Sequence, residues 1–215
     1  MKKITFLIFT LLFSTAFFAQ TAFTPSLEYV CESLSAKSNT TGDFTQTKTI
    51  QTNGRKLKST GKYIICKEGI LWQTEKPVPS SLILTKDKMV QIAANGKKSV
   101  MDGKDNQIFS NISEILSSVF SGDAASIKKN YNCKLAMDKN GEWSVSLEPK
   151  DSTIASVMNT LVLSGSCTND KDAEMKSLVI TETSGNTISY EFANQKYPEE
   201  LAADEKQNFI VEWFV

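Results

Sequence analysis

The chain has 215 residues, 24 basic and 24 acidic side chains, and no histidine. The missing imidazole excludes Ser-His-Asp and Cys-His catalysis, imidazole general bases and histidine-ligated zinc. Charges are scattered without a basic block or stripe, which leaves nucleic-acid binding without electrostatic support.

Lys2 and Lys3 precede an apolar run from Ile4 to Phe13, and the small residues Ser14, Ala16, Ala19 and Ala22 follow. That order is a secretory signal peptide, and the run is shorter than the ~20 residues of a membrane span. Residues 1–19 are therefore expected to be removed, with the cut falling somewhere within 16–22. A lipid anchor of the chain's own would need a cysteine at the cleavage point, and the first cysteine is Cys31. No later segment is apolar enough to span a bilayer, so residues 20–215 are expected to form one soluble, slightly acidic periplasmic domain. All four cysteines (Cys31, Cys66, Cys133, Cys167) fall within it. In an oxidising compartment they could pair, with three possible connectivities, or remain small buried hydrophobes.

Thr24-Pro25 can start a helix, and Leu27, Val30, Cys31 and Leu34 follow on one helical face. Ser38 to Gly42 reads as a loop. Strands are then expected at Asp43 to Ile50 and Lys56 to Cys66, joined by an Asn53-Gly54 hairpin turn. Ile70 to Thr74 follows a turn at Lys67-Glu68-Gly69 and stops at Pro77 and Pro79. Ser81 to Thr85 and Met89 to Ala93 form a further hairpin, closed by Asn95-Gly96.

Asn111 with Glu114 resembles a capping box. Behind it Ile112, Ile115, Leu116, Val119 and Phe120 make an apolar stripe that Gly122 stops. Strands resume at Ser126 to Met137 and Trp143 to Leu147, with a turn at Asn140-Gly141. After a short link at Ile154 to Val157 come strands at Leu161 to Ser166, Lys176 to Thr183 and Thr187 to Asn194. A short helix within Glu199 to Lys206 and a strand at Phe209 to Val215 end the chain. Roughly ten short strands at meander spacing, with two amphipathic helices, predict a mainly β (α+β) fold: one large curved antiparallel sheet or barrel.

Motifs for chemistry are missing. Ser126-Ile127-Lys128-Lys129 fits Ser-x-x-Lys, but the Ser-Asp-Asn and Lys-Thr-Gly partners of that mechanism do not occur. Asp170, Asp172 and Glu174 begin like a calcium loop, yet Met175 stands where its glycine belongs and Thr181 where its glutamate belongs. No phosphate loop or dinucleotide fingerprint is present. The chain is accordingly expected to be no enzyme, with no cofactor, metal or catalytic residues. If the helices lie against an open sheet, the space between them is a greasy pocket able to hold acyl chains.

Several strings resemble the outer-membrane lipoprotein carrier family (LolA-like proteins). They are Asp43-Phe44-Thr45-Gln46-Thr47, Gly61-Lys62-Tyr63, Leu71-Trp72, and Lys76-Pro77 before Ser81-Leu82-Ile83-Leu84. The element order is similar from the first helix to about Phe209. The resemblance implies an unclosed β-barrel, covered by two or three helices, around a hydrophobic cavity for the acyl chains of a lipoprotein or another amphiphile. It implies a monomeric carrier between an inner-membrane ABC-type lipoprotein-releasing complex and an outer-membrane acceptor. The expected cavity residues are Leu27, Val30, Leu34, Phe44, Leu71, Trp72, Ile112, Ile115, Leu116, Val119 and Phe120. The family's Arg-Pro pair after the Gly61 strand is replaced by Lys67-Glu68, which makes Lys67 the candidate for a lid or handover contact. That departure keeps open a glycolipid or other envelope amphiphile as cargo, or a packed barrel that only mediates interactions.

Overall fold

Every strand of the described residues between Thr40 and Lys196 finds its place in one eleven-stranded antiparallel sheet. The computed structural model describes residues 26–85, 89–101, 107–167 and 172–209, apart from the side chains at 101, 107–110, 112 and 113. One half of the sheet holds β1 (Thr40–Thr49), β2 (Lys56–Cys66), β3 (Gly69–Lys76), β4 (Ser80–Thr85), β5 (Met89–Ile92) and β6 (Lys98–Met101). The other holds β7 (Tyr131–Met137), β8 (Glu142–Pro149), β9 (Met158–Cys167), β10 (Ala173–Glu182) and β11 (Thr187–Lys196). The order β6-β5-β4-β3-β2-β1-β11-β10-β9-β8-β7 joins the two meanders through the β1–β11 pair and leaves β6 and β7 as free edges. The barrel is unclosed, as expected.

Helices α1 (Leu27–Ser35), α2 (Gln107–Phe120) and α3 (Ala124–Asn130) pack on one another, α1 against β10, α2 against β3 and α3 against β7. The short α4 (Ser152–Ala155) links β8 to β9, and α5 (Ala203–Gln207) follows β11. α1 is pinned by a buried side chain: Ser33 Oγ accepts from Ala173 N–H at 2.6 Å. Ser33→Ala would strand that amide, and an unsatisfied buried donor costs about 1–3 kcal/mol. A urea titration should show a lower midpoint at unchanged slope.

The sheet has two apolar faces. On the concave face, Phe44, Tyr63, Ile65, Ile70, Trp72, Leu84 and Met89 join Trp143, Val145, Leu147, Leu161, Leu163, Tyr190 and Phe192 in the main core under the helices. On the convex face, Ile64, Leu71, Ile83 and Val90 stand opposite one another across β2 to β5 and are covered by Leu201 and Phe209.

Several expectations are corrected. Thr40 to Gly42 belong to β1 rather than a loop, because their backbone pairs with Ile65, Ile64 and Tyr63. α1 is capped by Ser26, whose Oγ accepts from Tyr29 N–H at 3.1 Å; Thr24 and Pro25 lie outside the described residues. α2 begins a turn earlier than a cap at Asn111 would allow, so Asn111 is a buried residue inside the helix. Ser126 to Asn130 are helical, since Asp123 Oδ1 accepts from Ser126 N–H at 2.9 Å and starts α3. β6, an edge strand of Lys98, Ser99, Val100 and Met101 without an apolar alternation, was not foreseen. β9 and β10 start earlier than predicted, at Met158 and Ala173. Of the predicted last strand only Phe209 lies within the described residues. Asp170 and the signal segment lie outside them.

Candidate functional site

The concave face carries a belt of touching rings. Trp72 sits at its centre, 5.4 Å from Phe44, 5.1 Å from Tyr190, 5.9 Å from Tyr63 and 6.0 Å from Phe192 between ring centroids. These residues come from four adjacent strands, so register alone assembles them: Phe44 faces Phe192 across β1–β11, and Tyr63 faces Trp72 across β2–β3. Glycine makes room. A Cβ on Gly42 would meet the Tyr63 ring at 2.9 Å.

Beside this core, a cavity of about 740 Å³ opens between the helices and the β2–β3 hairpin. Ser35, Lys37 and Ser38 bound it at the end of α1, and Glu114, Ser117, Ser118, Phe120 and Ser121 along and just after α2. Ile65 to Ile70 of the hairpin and Leu84 and Thr85 of β4 form its other wall. Its lining combines apolar side chains (Ile65, Ile70, Leu84, Phe120) with five serines and the charged Lys37, Lys67, Glu68 and Glu114. Lys37 is held away from free solvent, 3.0 Å from Asp172 Oδ1, donating to Ala173 O at 2.7 Å and lying 3.9 Å over the Tyr197 ring. Lys67, at the hairpin turn, is exposed and makes no ion pair among the described residues.

The expected cavity residues divide. Phe120 lines the cavity, as does Lys67, the residue expected at a lid or handover contact. Leu27, Val30, Leu34, Phe44, Trp72, Ile115, Leu116 and Val119 are buried in the main core beneath it. Leu71 is on the other side of the sheet, in the convex cluster, because successive strand residues point to opposite faces and Trp72 takes the inner one. The side chain of Ile112 lies outside the description. The serines of the cavity lining were not singled out from sequence; five serines among polar loop and helix-end positions carry no signal until the fold gathers them.

The interior also holds polar atoms that an apolar core does not explain. Trp72 Nε1, Trp143 Nε1, Tyr131 OH and Asn111 Nδ2 are buried without a hydrogen-bond partner among the described residues. Burial pushes the Tyr131 phenol up to about 12 and the Tyr190 phenol up to about 12, so both stay neutral donors at any physiological pH. All four cysteines are thiols. Burial raises Cys31 to about 12, and burial with the Glu68 contact raises Cys66 to about 11. Neither is a thiolate near neutrality, so neither is an activated nucleophile. Among the described residues no cluster of metal-ligating side chains occurs.

Residues 35–206 match the family described as outer membrane lipoprotein carrier protein LolA. No curated protein sequence matches the chain. Among solved structures, a DUF1329 family protein from Desulfovibrio piger superposes with a TM-score of 0.50 at 10% identity, covering 82% of this chain and 92% of that one. A LolA superfamily protein from Nitrosomonas europaea gives 0.47 at 8% identity, covering 87% and 96%. The Mycobacterium tuberculosis lipoprotein LppX gives 0.42 at 10% identity, covering 82% and 97%.

Proposed function

Because the chain belongs to the LolA family of outer membrane lipoprotein carriers, whose members are non-enzymatic carriers, we propose that it shields the acyl chains of a lipoprotein and ferries it across the periplasm. Residues 1–19 would direct export. An inner-membrane ABC-type complex would load the carrier, and an outer-membrane acceptor would empty it.

The observation that supports this most is the set of unpartnered donors in the concave core. Buried polar groups are normally hydrogen-bonded, and each orphan costs about 1–3 kcal/mol. Trp72, Trp143 and Tyr131 belong to the helix-covered core, and Asn111 is buried within α2. Acylated cargo brings ester and amide carbonyls together with its hydrocarbon, which would satisfy those donors while the chains replace helix contacts. The roughly 740 Å³ cavity is within the range of about 300–1,000 Å³ typical of small-molecule sites. Several acyl chains need more, so loading requires α2 to lift from the sheet. Apolar burial at about 25 cal/mol per Å² supplies the drive for shielding.

A second reading has its own support. Ser35, Ser38, Ser117, Ser118 and Ser121 supply five hydroxyls to the cavity lining, which suits the sugar head of a glycolipid. Lys67 would then meet the polar head rather than latch the lid.

Native mass spectrometry of protein purified from its own periplasm, with extraction of bound lipid, separates the readings. A triacylated peptide supports the lipoprotein carrier, and a sugar lipid supports the second. Cys66 provides an independent readout: at pH 8 its raised pKa makes maleimide labelling slow, and loading should slow it further by filling the cavity beside it. Recovery of empty protein, with Cys66 labelled equally before and after exposure to lipidated client, would defeat both.

A further inference from the structure

Lysines that are dispersed in the sequence converge at one end of the sheet. The β1–β2 hairpin, the β3–β4 loop and the β5–β6 turn all lie there, because Thr49 pairs with Lys56, Thr74 with Ser80, and Ile92 with both Ser81 and Lys98. Residues 48–58, 75–79 and 93–98 of these segments carry seven cations (Lys48, Arg55, Lys56, Lys58, Lys76, Lys97, Lys98) and one acid, Glu75. The chain as a whole is balanced, so this is a local excess. Glu75 is 3.8 Å from Lys62, and Lys48 is taken by Glu182 at 2.9 Å on β10. Arg55, Lys56, Lys58, Lys76 and Lys97 are exposed and make no ion pair among the described residues.

Two of the largest exposed apolar side chains of the described residues stand inside this cationic rim. Leu57 is 44% exposed and Val78 62% exposed, between Pro77 and Pro79. The Thr60–Lys76 pair is the last rung of the β2–β3 ladder, so Leu57 and Val78 both project past it, on neighbouring chain segments. Strands lie about 4.8 Å apart, so that rung brings the two segments together at Thr60 and Lys76. Neither belongs to a core cluster of the described residues.

We propose that this end of the sheet is a membrane-docking surface: its lysines are drawn to anionic headgroups and Leu57 and Val78 enter the interface between headgroup and acyl region. The pairing of exposed apolar tips with flexible lysines is the pattern of a peripheral lipid contact. A partner protein with a matching acidic face would be met by charge alone and would leave Val78 without a role. The surface is formed by strand ends and turns at one end of the sheet, outside any cavity that a peptide would fill. No helix of the described residues is long and apolar enough to cross a membrane, so the attachment is peripheral and reversible. It is independent of the cargo reading, because the tips lie outside the cavity and the empty protein should show it.

Co-sedimentation of the empty protein with vesicles tests this. Binding is expected to vesicles containing phosphatidylglycerol and not to pure phosphatidylcholine, and it should vanish in strong salt, where the screening length shrinks from about 8 Å to about 3 Å. Lys56→Glu/Lys58→Glu/Lys76→Glu should weaken binding about a hundredfold or more, with an unchanged melting curve because all three side chains are exposed. Val78→Asp should weaken binding while keeping its salt dependence. Equal binding of the triple variant, or no binding of wild type to anionic vesicles, overturns the proposal. A Val78→Asp variant that binds like wild type overturns the apolar insertion. If vesicles are ignored and the three lysines are needed only to bind an acidic protein, the face is a protein-docking surface and the membrane proposal fails.

Discussion

Gly165→Val should lower the melting temperature by about 6–12 °C, from a stability loss of about 3 kcal/mol or more. Gly165 sits in β9 between two constraints that cannot both give way. A Cβ there would lie 1.9 Å from the Glu174 carbonyl oxygen on β10 and 2.4 Å from Trp143 Cζ2 on β8. The first is backbone, fixed by the β9–β10 ladder, in which Gly165 pairs with Met175. The second is the indole of a 2% exposed tryptophan, held in the main core. Glycine here allows the indole to lie on the strand. Gly54→Ala serves as the control. Gly54 has a φ of +66° but open space around it, so it should lose only the left-handed backbone preference, about 1–2 kcal/mol. Equal melting shifts for the two variants would mean that the Trp143 ring does not lie over Gly165.

The meander was legible in the sequence because turn chemistry is local. Asn53-Gly54, Gly69 and Asn140-Gly141 mark reversals that the structure contains, with positive φ at all three glycines. The face of each strand was not legible. Ile64-Ile65, Ile70-Leu71, Ile83-Leu84 and Met89-Val90 are apolar on both sides of the sheet, since Leu201 and Phe209 cover the convex side. A strand buried on both faces loses its alternation, and only register then distinguishes Leu71 from Trp72. α3 was hidden for a different reason: Ile127 is the only apolar residue from Ser126 to Asn130, too little for a helical stripe to show, while the deciding interaction is the Asp123 cap. The candidate site was partly legible. The α2 stripe could be seen, but whether its members touch a cavity or a core depends on depth. The serines of the cavity lining and the lysine rim arise from residues brought together by topology over long separations.

Depth also separates two substitutions on α2 that the sequence pattern treats alike. Leu116 is 1% exposed within the main core. Leu116→Asp would place an unpaired carboxylate there, at a cost of about 3–5 kcal/mol. That approaches the whole stability of a typical domain, so α2 should detach or the chain should unfold. Phe120 is half-buried, packed against the same core and lining the cavity. Its replacement can reach water, so Phe120→Asp should cost much less and keep the cooperative melt. Cargo entering between α2 and the β2–β3 hairpin must nevertheless pass it, and a carboxylate would have to be desolvated against the acyl chain. Displacement of bis-ANS by a lipidated client should therefore be lost in Phe120→Asp while the fold is retained. Leu116→Asp should fail in thermal melting before any displacement can be read. Client displacement by Phe120→Asp at the wild-type midpoint would show that cargo takes another route. A Leu116→Asp protein melting like wild type would show that the stripe swings freely over a wet cavity instead of closing a packed core.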